Sequence, residues 1–217
     1  MRRMSTSTPP TSASPAPTNN QSISEILTHI ERLKTQLSEA RRNAPAEVVA
    51  DLPLFARDGS EASLSHFFGT RDDLLVIHNM GMRCSYCTLW ADGFIGLWPH
   101  LNDRTAVVLV SEDAPLAADA FARGRGWPFP AASMHGTSFA KELGVETTPG
   151  HTKPGASAFH RSADGVITRT GFTEFGPGDD FCAAWPLFDL LQGGVGPWEP
   201  KFAYGRSGCC GGGCCGG

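Results

Sequence analysis

The sequence predicts an α/β domain, a mixed sheet covered by helices on both faces, with an amphipathic helix in front of it. Three observations carry this. Leu74-Leu75-Val76-Ile77-His78 and Ala106-Val107-Val108-Leu109-Val110 are short, nearly unbroken apolar runs, the pattern of strands buried on both faces. Helical stretches come after each of them, which is the order of a parallel crossover unit. Later, Ala156-Ser157-Ala158-Phe159-His160 and Val166-Ile167-Thr168-Arg169-Thr170 flank Ala163-Asp164-Gly165, which predicts an antiparallel hairpin.

Residues 1–21 are rich in Ser, Thr, Pro and Asn and lack Ile, Leu, Val and Phe, so this segment is expected to be a disordered tail. Ser22 and Glu25 make a capping box, and Ile23, Ile26, Leu27, Ile30, Leu33 and Leu37 recur at helical spacing. An amphipathic helix is therefore expected over 22–44, with its stripe docked on the domain over 45–192 or, as the alternative, on a partner helix. Within that domain, 51–55 reads as a short strand and 63–68 as one or two helical turns. The run 88–101 reads as an aromatic-rich helix disturbed near its end by Pro99. Pro115 starts a helix to 123, Gly144 ends a short one over 139–143, and Trp185 to Gln192 forms the last, with Pro186 in its first turn. Residues 193–217 form a Gly/Cys-rich tail.

A chain of 217 residues with 41% hydrophobic and 18% charged residues is long enough to bury a core without disulfides or metals. Its 18 Lys+Arg against 22 Asp+Glu leave a net charge of -4, which argues against nucleic acid as a partner. No apolar run approaches the ~18–20 residues of a membrane span. Met1-Arg2-Arg3-Met4 leads into Ser, Thr and Pro rather than an apolar segment, so the expected location is the cytoplasm.

The 7 cysteines are placed unevenly. Cys84 and Cys87 form a C-x-x-C, Cys182 stands alone, and Cys209, Cys210, Cys214 and Cys215 crowd the end. An odd number without a secretory signal does not read as a disulfide framework, which leaves catalytic thiols or metal ligands. The C-x-x-C comes after a buried strand and opens a helix. There the first turn's N–H groups and the positive end of the dipole face Cys84 and stabilise its thiolate, with Arg83 adding charge of the same sign. Cys87 lies one turn on, on the same face, within reach of a disulfide. Cys84 can then attack a target disulfide and Cys87 can resolve the mixed intermediate. Two other readings stay open for such a pair: half of a zinc site, which lacks a second ligand pair in the folded body, or two inert core cysteines.

Strand, C-x-x-C, helix, strand, helix, Pro-led hairpin and final helix is the order of a thioredoxin-like fold, a three-layer α/β/α sandwich with a mixed central sheet. More narrowly the sequence resembles the DUF899 family, predicted thioredoxin-like dithiol–disulfide oxidoreductases of bacteria. The most specific stretch is Cys84-Ser85-Tyr86-Cys87-Thr88-Leu89-Trp90-Ala91-Asp92-Gly93-Phe94, similar to that family's C-x-x-C-(S/T)-x-W-A-D-x-F. The likeness also takes in 33–42, 55–68, 74–101, 111–121, Gly126-Trp127 and 154–159, about three quarters of the chain. Two features depart from the family: the segment His78 to Arg83 is shorter, and the Cys-Gly end lies outside its core. Thioredoxins themselves carry W-C-G-P-C where this chain has Arg83-Cys84-Ser85-Tyr86-Cys87, so general disulfide reduction is not implied.

The resemblance implies catalytic Cys84 and Cys87, and a cis-proline against the redox pair. Pro154 matches that position, ahead of Pro149, and would present backbone groups to substrate. It implies no organic cofactor and a protein or small-molecule thiol or disulfide as partner. Peroxiredoxins share the architecture, which makes a thiol peroxidase the enzymatic alternative, but their peroxidatic cysteine has a hydroxyl three residues before it and a proline seven before. Here those positions hold Gly81 and Ile77 for Cys84, and Cys84 and Met80 for Cys87. The terminal Cys209, Cys210, Cys214 and Cys215 could wrap a soft metal ion, which makes a metal-handling or redox-sensing module the alternative from another class. His78 and His100 are candidates for proton transfer and Asp92 for a buried acid aiding Cys87, each against a plain structural role. Trp90, Phe94 and Trp98, at i, i+4 and i+8, read as core, and Cys182 as a small buried hydrophobe.

Overall fold

The computed structural model describes residues 21–205, which fall into two units dividing between Asn43 and Ala44. The first unit holds α1 (Ile23–Asn43). It starts at the capping box: the Ser22 N–H donates to Glu25 Oε2 at 2.7 Å and the Glu25 N–H to Ser22 Oγ at 3.3 Å. Hydrogen bonds from Ser22 hold the Glu25 carboxyl below its usual range. No residue of α1 is buried, and Ile23, Leu27, Leu33 and Leu37 are exposed.

The second unit starts with three short strands, β1 (Glu47–Val49), β2 (Pro53–Phe55) and β3 (Glu61–Ser63), and a 3-10 helix over Leu64–Phe68. Next in the chain are the central elements: β4 (Asp73–Asn79), α2 (Ser85–Arg104), β5 (Ala106–Ser111), α3 (Pro115–Arg125) and β6 (Ala131–Ser133). After them come α4 (Phe139–Glu142) and the small pair β7 (Glu146–Thr148) and β8 (His151–Thr152). The long hairpin β9 (Gly155–Arg161) and β10 (Ile167–Glu174) precedes α5 (Ala184–Phe188). Eight strands make one sheet in the order β1-β10-β9-β4-β5-β6-β2-β3, parallel where β4, β5 and β6 meet and antiparallel elsewhere. This is the thioredoxin-like α/β/α sandwich.

Strand alternation divides the apolar residues between two cores. Leu74 and Val76 of β4, with Val108 and Val110 of β5, join Leu64, Phe68, Phe139 and Leu143 on one face. Ile77, Val107 and Leu109 meet Trp90, Ala91, Ala122, Trp127 and Trp185 on the other, beneath α2, α3 and α5. Trp90 is buried, with Phe94 and Trp98 packed against the same cluster, as expected of core. Both faces of the central strands are thus covered, which is why 74–77 and 106–110 are unbroken apolar runs.

The sequence does not signal β1, β3, β6, β7 or β8, because runs of two or three residues are too short to show a period. The Pro99 helix runs on to Arg104: proline removes one N–H, and this one sits on the exposed side of the helix. The ordered body continues past Gln192, since Trp198 packs on Phe188 and Trp185 and Arg125 Nη1 donates to the Phe202 carbonyl at 2.6 Å. Among the described residues no helix is long and apolar enough to cross a membrane.

Candidate active site

β4 and β5 run in parallel register up to Asn79 and Ser111, so the segments leaving the two strands emerge at the same end of the sheet. After β4 comes a turn built on side-chain and backbone bonds. The Gly81 N–H donates to Asn79 Oδ1 at 2.8 Å, and the Cys84 N–H donates to the Gly81 carbonyl at 3.1 Å. After β5 come Glu112 and Asp113, which clamp that turn. The Glu112 N–H donates to the Asn79 carbonyl at 3.2 Å, and Asp113 Oδ2 accepts the Met82 N–H at 2.6 Å and the Ser111 hydroxyl at 2.9 Å. Only glycine suits position 81: its φ is +91°, and a Cβ there would lie 2.7 Å from Asp113 Oδ1.

The clamp delivers Cys84 to the N-cap of α2. Its backbone is extended, at φ -98° and ψ 105°, and its Sγ accepts the Cys87 N–H at 3.1 Å. The sulfur thus takes the place of a capping oxygen. Cys84 is half-buried, whereas Cys87 is 3% exposed, and both are free thiols. The Cys84 thiol is drawn down to about 7, first by the hydrogen bond from the Cys87 side chain. Partial burial opposes this, and the N–H groups of Cys87 and Tyr86 add to it. Cys87 is pushed strongly upward by the same hydrogen bond, by burial and by the charge of Cys84. The outer sulfur is therefore the thiolate and the inner one the thiol.

Glu112 carries no signal of its own in the sequence. Its side chain is 11% exposed, accepts the Thr152 N–H through Oε1, and has Oε2 3.2 Å from His151 Nδ1. Burial raises its carboxyl above the usual range, and its charge in turn raises both Cys84 and Cys87. The available clue is positional: Glu112 comes directly after a buried strand, just as the cysteine turn comes after β4.

The model described as bacterial protein of unknown function (DUF899) matches residues 23–201. The chain belongs to this family. Solved structures similar to the DUF899 protein include a peroxidoxin of Mycobacterium tuberculosis, at 24% identity over 56% of this chain and 80% of that one, with a TM-score of 0.45. A peroxiredoxin Q of Xanthomonas campestris is similar at 21% identity over 61% and 87%, with a TM-score of 0.47. A hypothetical protein of Sinorhizobium meliloti is similar at 18% identity over 74% and 88%, with a TM-score of 0.49. No curated protein matches.

Of the other expected residues of the DUF899 protein, Pro154 does come to the reactive end of the sheet, since its neighbour Gly155 pairs with His78. The expected cis bond is corrected: among the described residues every peptide is trans. The backbone there is already engaged, with the Lys153 N–H on the Val145 carbonyl at 2.8 Å and the Pro154 carbonyl accepting the Phe175 N–H at 2.9 Å. His78 is no proton carrier near neutral pH. It lies on the face of β4 away from α2, 1% exposed, with Nε2 2.8 Å from Ser157 Oγ and Nδ1 unpartnered. Burial lowers it to about 3, helped by the charge of Arg169. His100 is exposed. Asp92 is tied to Arg125 and, at 2.8 Å, to Trp127 Nε1, so it braces α2 against α3 rather than serving Cys87. Cys182 is buried and free, its thiol raised by that burial. Among the described residues no group of three His, Cys, Asp or Glu could hold a metal ion. Cys209, Cys210, Cys214 and Cys215 lie outside the described residues.

Proposed function

We propose that this DUF899 protein is a thiol–disulfide oxidoreductase in which Cys84 is the nucleophile and Cys87 the resolving thiol. The observation that carries the reading is the split of one C-x-x-C into an accessible low-pKa sulfur and a buried high-pKa sulfur at the mouth of α2. In the reductive direction the Cys84 thiolate attacks a substrate disulfide. One substrate sulfur bonds to Cys84, and the other leaves as a thiolate that takes a proton from water. Cys87 then loses its proton and attacks Cys84 Sγ, releasing the second substrate thiol and closing a Cys84–Cys87 disulfide. Two electrons pass from the dithiol to the substrate, and an external thiol reductant restores the pair.

The test is reduction of a model disulfide by the full chain, with the products read by mass spectrometry. Cys84→Ser removes the reaction. Cys87→Ser keeps the first step and accumulates a mixed disulfide on Cys84. A chain cut after Ser207 stays active. Loss of activity on that truncation with retention in Cys84→Ser would transfer the chemistry to the terminal cysteines and end this reading.

A further inference from the structure

The segment after β10 closes over the first turn of α2. Asp179 Oδ1 accepts the Phe181 N–H at 2.8 Å and the Cys182 N–H at 3.1 Å, and lies 3.4 Å from Trp90 Nε1, which pins this segment to the helix. Beside that segment lies a cleft of about 360 Å³ that reaches the C-x-x-C at Tyr86 and lies within the range of small-ligand sites. Its inner wall is Tyr86, two residues past Cys84, with its ring stacked on Trp185 at 6.2 Å and 24°. Trp198 meets Trp185 edge-on at 5.9 Å and 71°. Asp189 and Glu199 also line it; both are exposed, and neither carboxylate is bonded by another side chain among the described residues. No Lys or Arg lines the cleft, and the exposed Arg83 beside Cys84 is outside it.

Aromatic faces are electronegative and hold cations within about 6 Å. Two uncompensated carboxylates add attraction of the same sign and repel anions. We propose that this cleft takes the ammonium end of a positively charged disulfide, placing its sulfurs at Cys84. The proposal rests on the exchange reading and names its substrate class: amine-bearing disulfides, in preference to neutral or carboxylate-bearing ones.

Three disulfides of graded charge test it on the reduced full chain: cystamine, bis(hydroxyethyl) disulfide and dithiodipropionate. Each kcat/KM is divided by the rate of the same disulfide with free dithiothreitol, which removes intrinsic reactivity. Cystamine is expected to lead dithiodipropionate by about tenfold at low salt, and the lead to shrink to about threefold or less in Asp189→Asn/Glu199→Gln. A flat profile, an anion preference, or a lead that survives neutralisation would overturn the proposal. Calorimetry of cystamine on Cys84→Ser/Cys87→Ser protein separates it from the exchange reading. Saturable binding that the carboxylate changes abolish keeps the cleft even if the intact chain exchanges nothing. Absence of binding there, with exchange intact, removes the cleft and leaves the chemistry standing.

Discussion

The Cys84 sulfur accepts the backbone N–H of Cys87 at 3.1 Å, so the reactive thiol is itself the cap of the helix that carries its partner. The cap also contributes to activation, after the larger effect of the Cys87 side chain. A thiolate is a better acceptor than a thiol, so the bond that terminates α2 also favours the ionised form.

That arrangement predicts the behaviour of the pair on mutation. The largest lowering influence on Cys84 is the Cys87 side-chain hydrogen bond, which Cys87→Ala deletes while keeping the N–H. Alkylation of Cys84 by iodoacetamide should show a midpoint at about 7 in the parent. In Cys87→Ala the midpoint should move upward, toward the ordinary thiol value of ~8.5. A midpoint that stays put or falls would show that the thiol contact does not set the reactivity.

Glu112 acts in the opposite direction. Its carboxylate raises both sulfurs, so Glu112→Gln should lower the Cys84 midpoint and speed alkylation at pH 6 by roughly two- to fivefold. Glutamine keeps an oxygen for the Thr152 N–H, so the β8 attachment survives and the change isolates charge from structure. Unchanged alkylation across pH 5–9 would remove Glu112 from the site.

How much of this was readable in the chain depends on the length of each signal. Leu74–His78 and Ala106–Val110 are long enough to announce buried strands, and Cys84 to Phe94 is a motif that states its own chemistry. The reactive ends of the strands and the helix mouth were legible for that reason. Glu112 was not, because a carboxylate after a strand looks like any solvated turn until Thr152 and His151 fold over it. The same holds for the aromatic cleft. Tyr86 and Trp198 are 112 residues apart, and only the path of the chain after β10 brings both against Trp185. Pro154 shows the converse: a motif position can be placed correctly while its backbone is occupied by Val145 and Phe175.

The turn before Cys84 predicts a coupled loss of stability and reactivity. Gly81→Ala puts a Cβ at a left-handed φ of +91° and against the Asp113 carboxylate. The cost should be about 2 kcal/mol in chemical denaturation, from backbone strain and the displaced Asp113–Met82 bond. Because the Cys84 N–H hangs from the Gly81 carbonyl, the alkylation midpoint should change as well. Gly59→Ala, with its own φ of +86° and nothing near its Cβ, is the control: strained, yet without effect on the thiol. Equal alkylation profiles for both variants would sever the turn from the site.

His78 gives a pH dependence whose sign is fixed by burial. Its folded value of about 3 lies far below the ~6.5 of an unfolded chain, so between those values the unfolded state holds one more proton. Stability from this residue is complete above about pH 6.5 and falls as pH drops toward 3, at ~1.4 kcal/mol per pH unit. From pH 6.5 to pH 5 the parent should lose about 2 kcal/mol that His78→Gln does not, as read by urea denaturation of the two proteins side by side. Ser157 retains a partner in glutamine, so the variant should fold, although the unpaired Nδ1 of the parent shows how little polar space the pocket offers. Parallel stability curves for the two proteins over that range would mean that His78 is protonated in the folded state. The sealed face of β4 would then have to admit water.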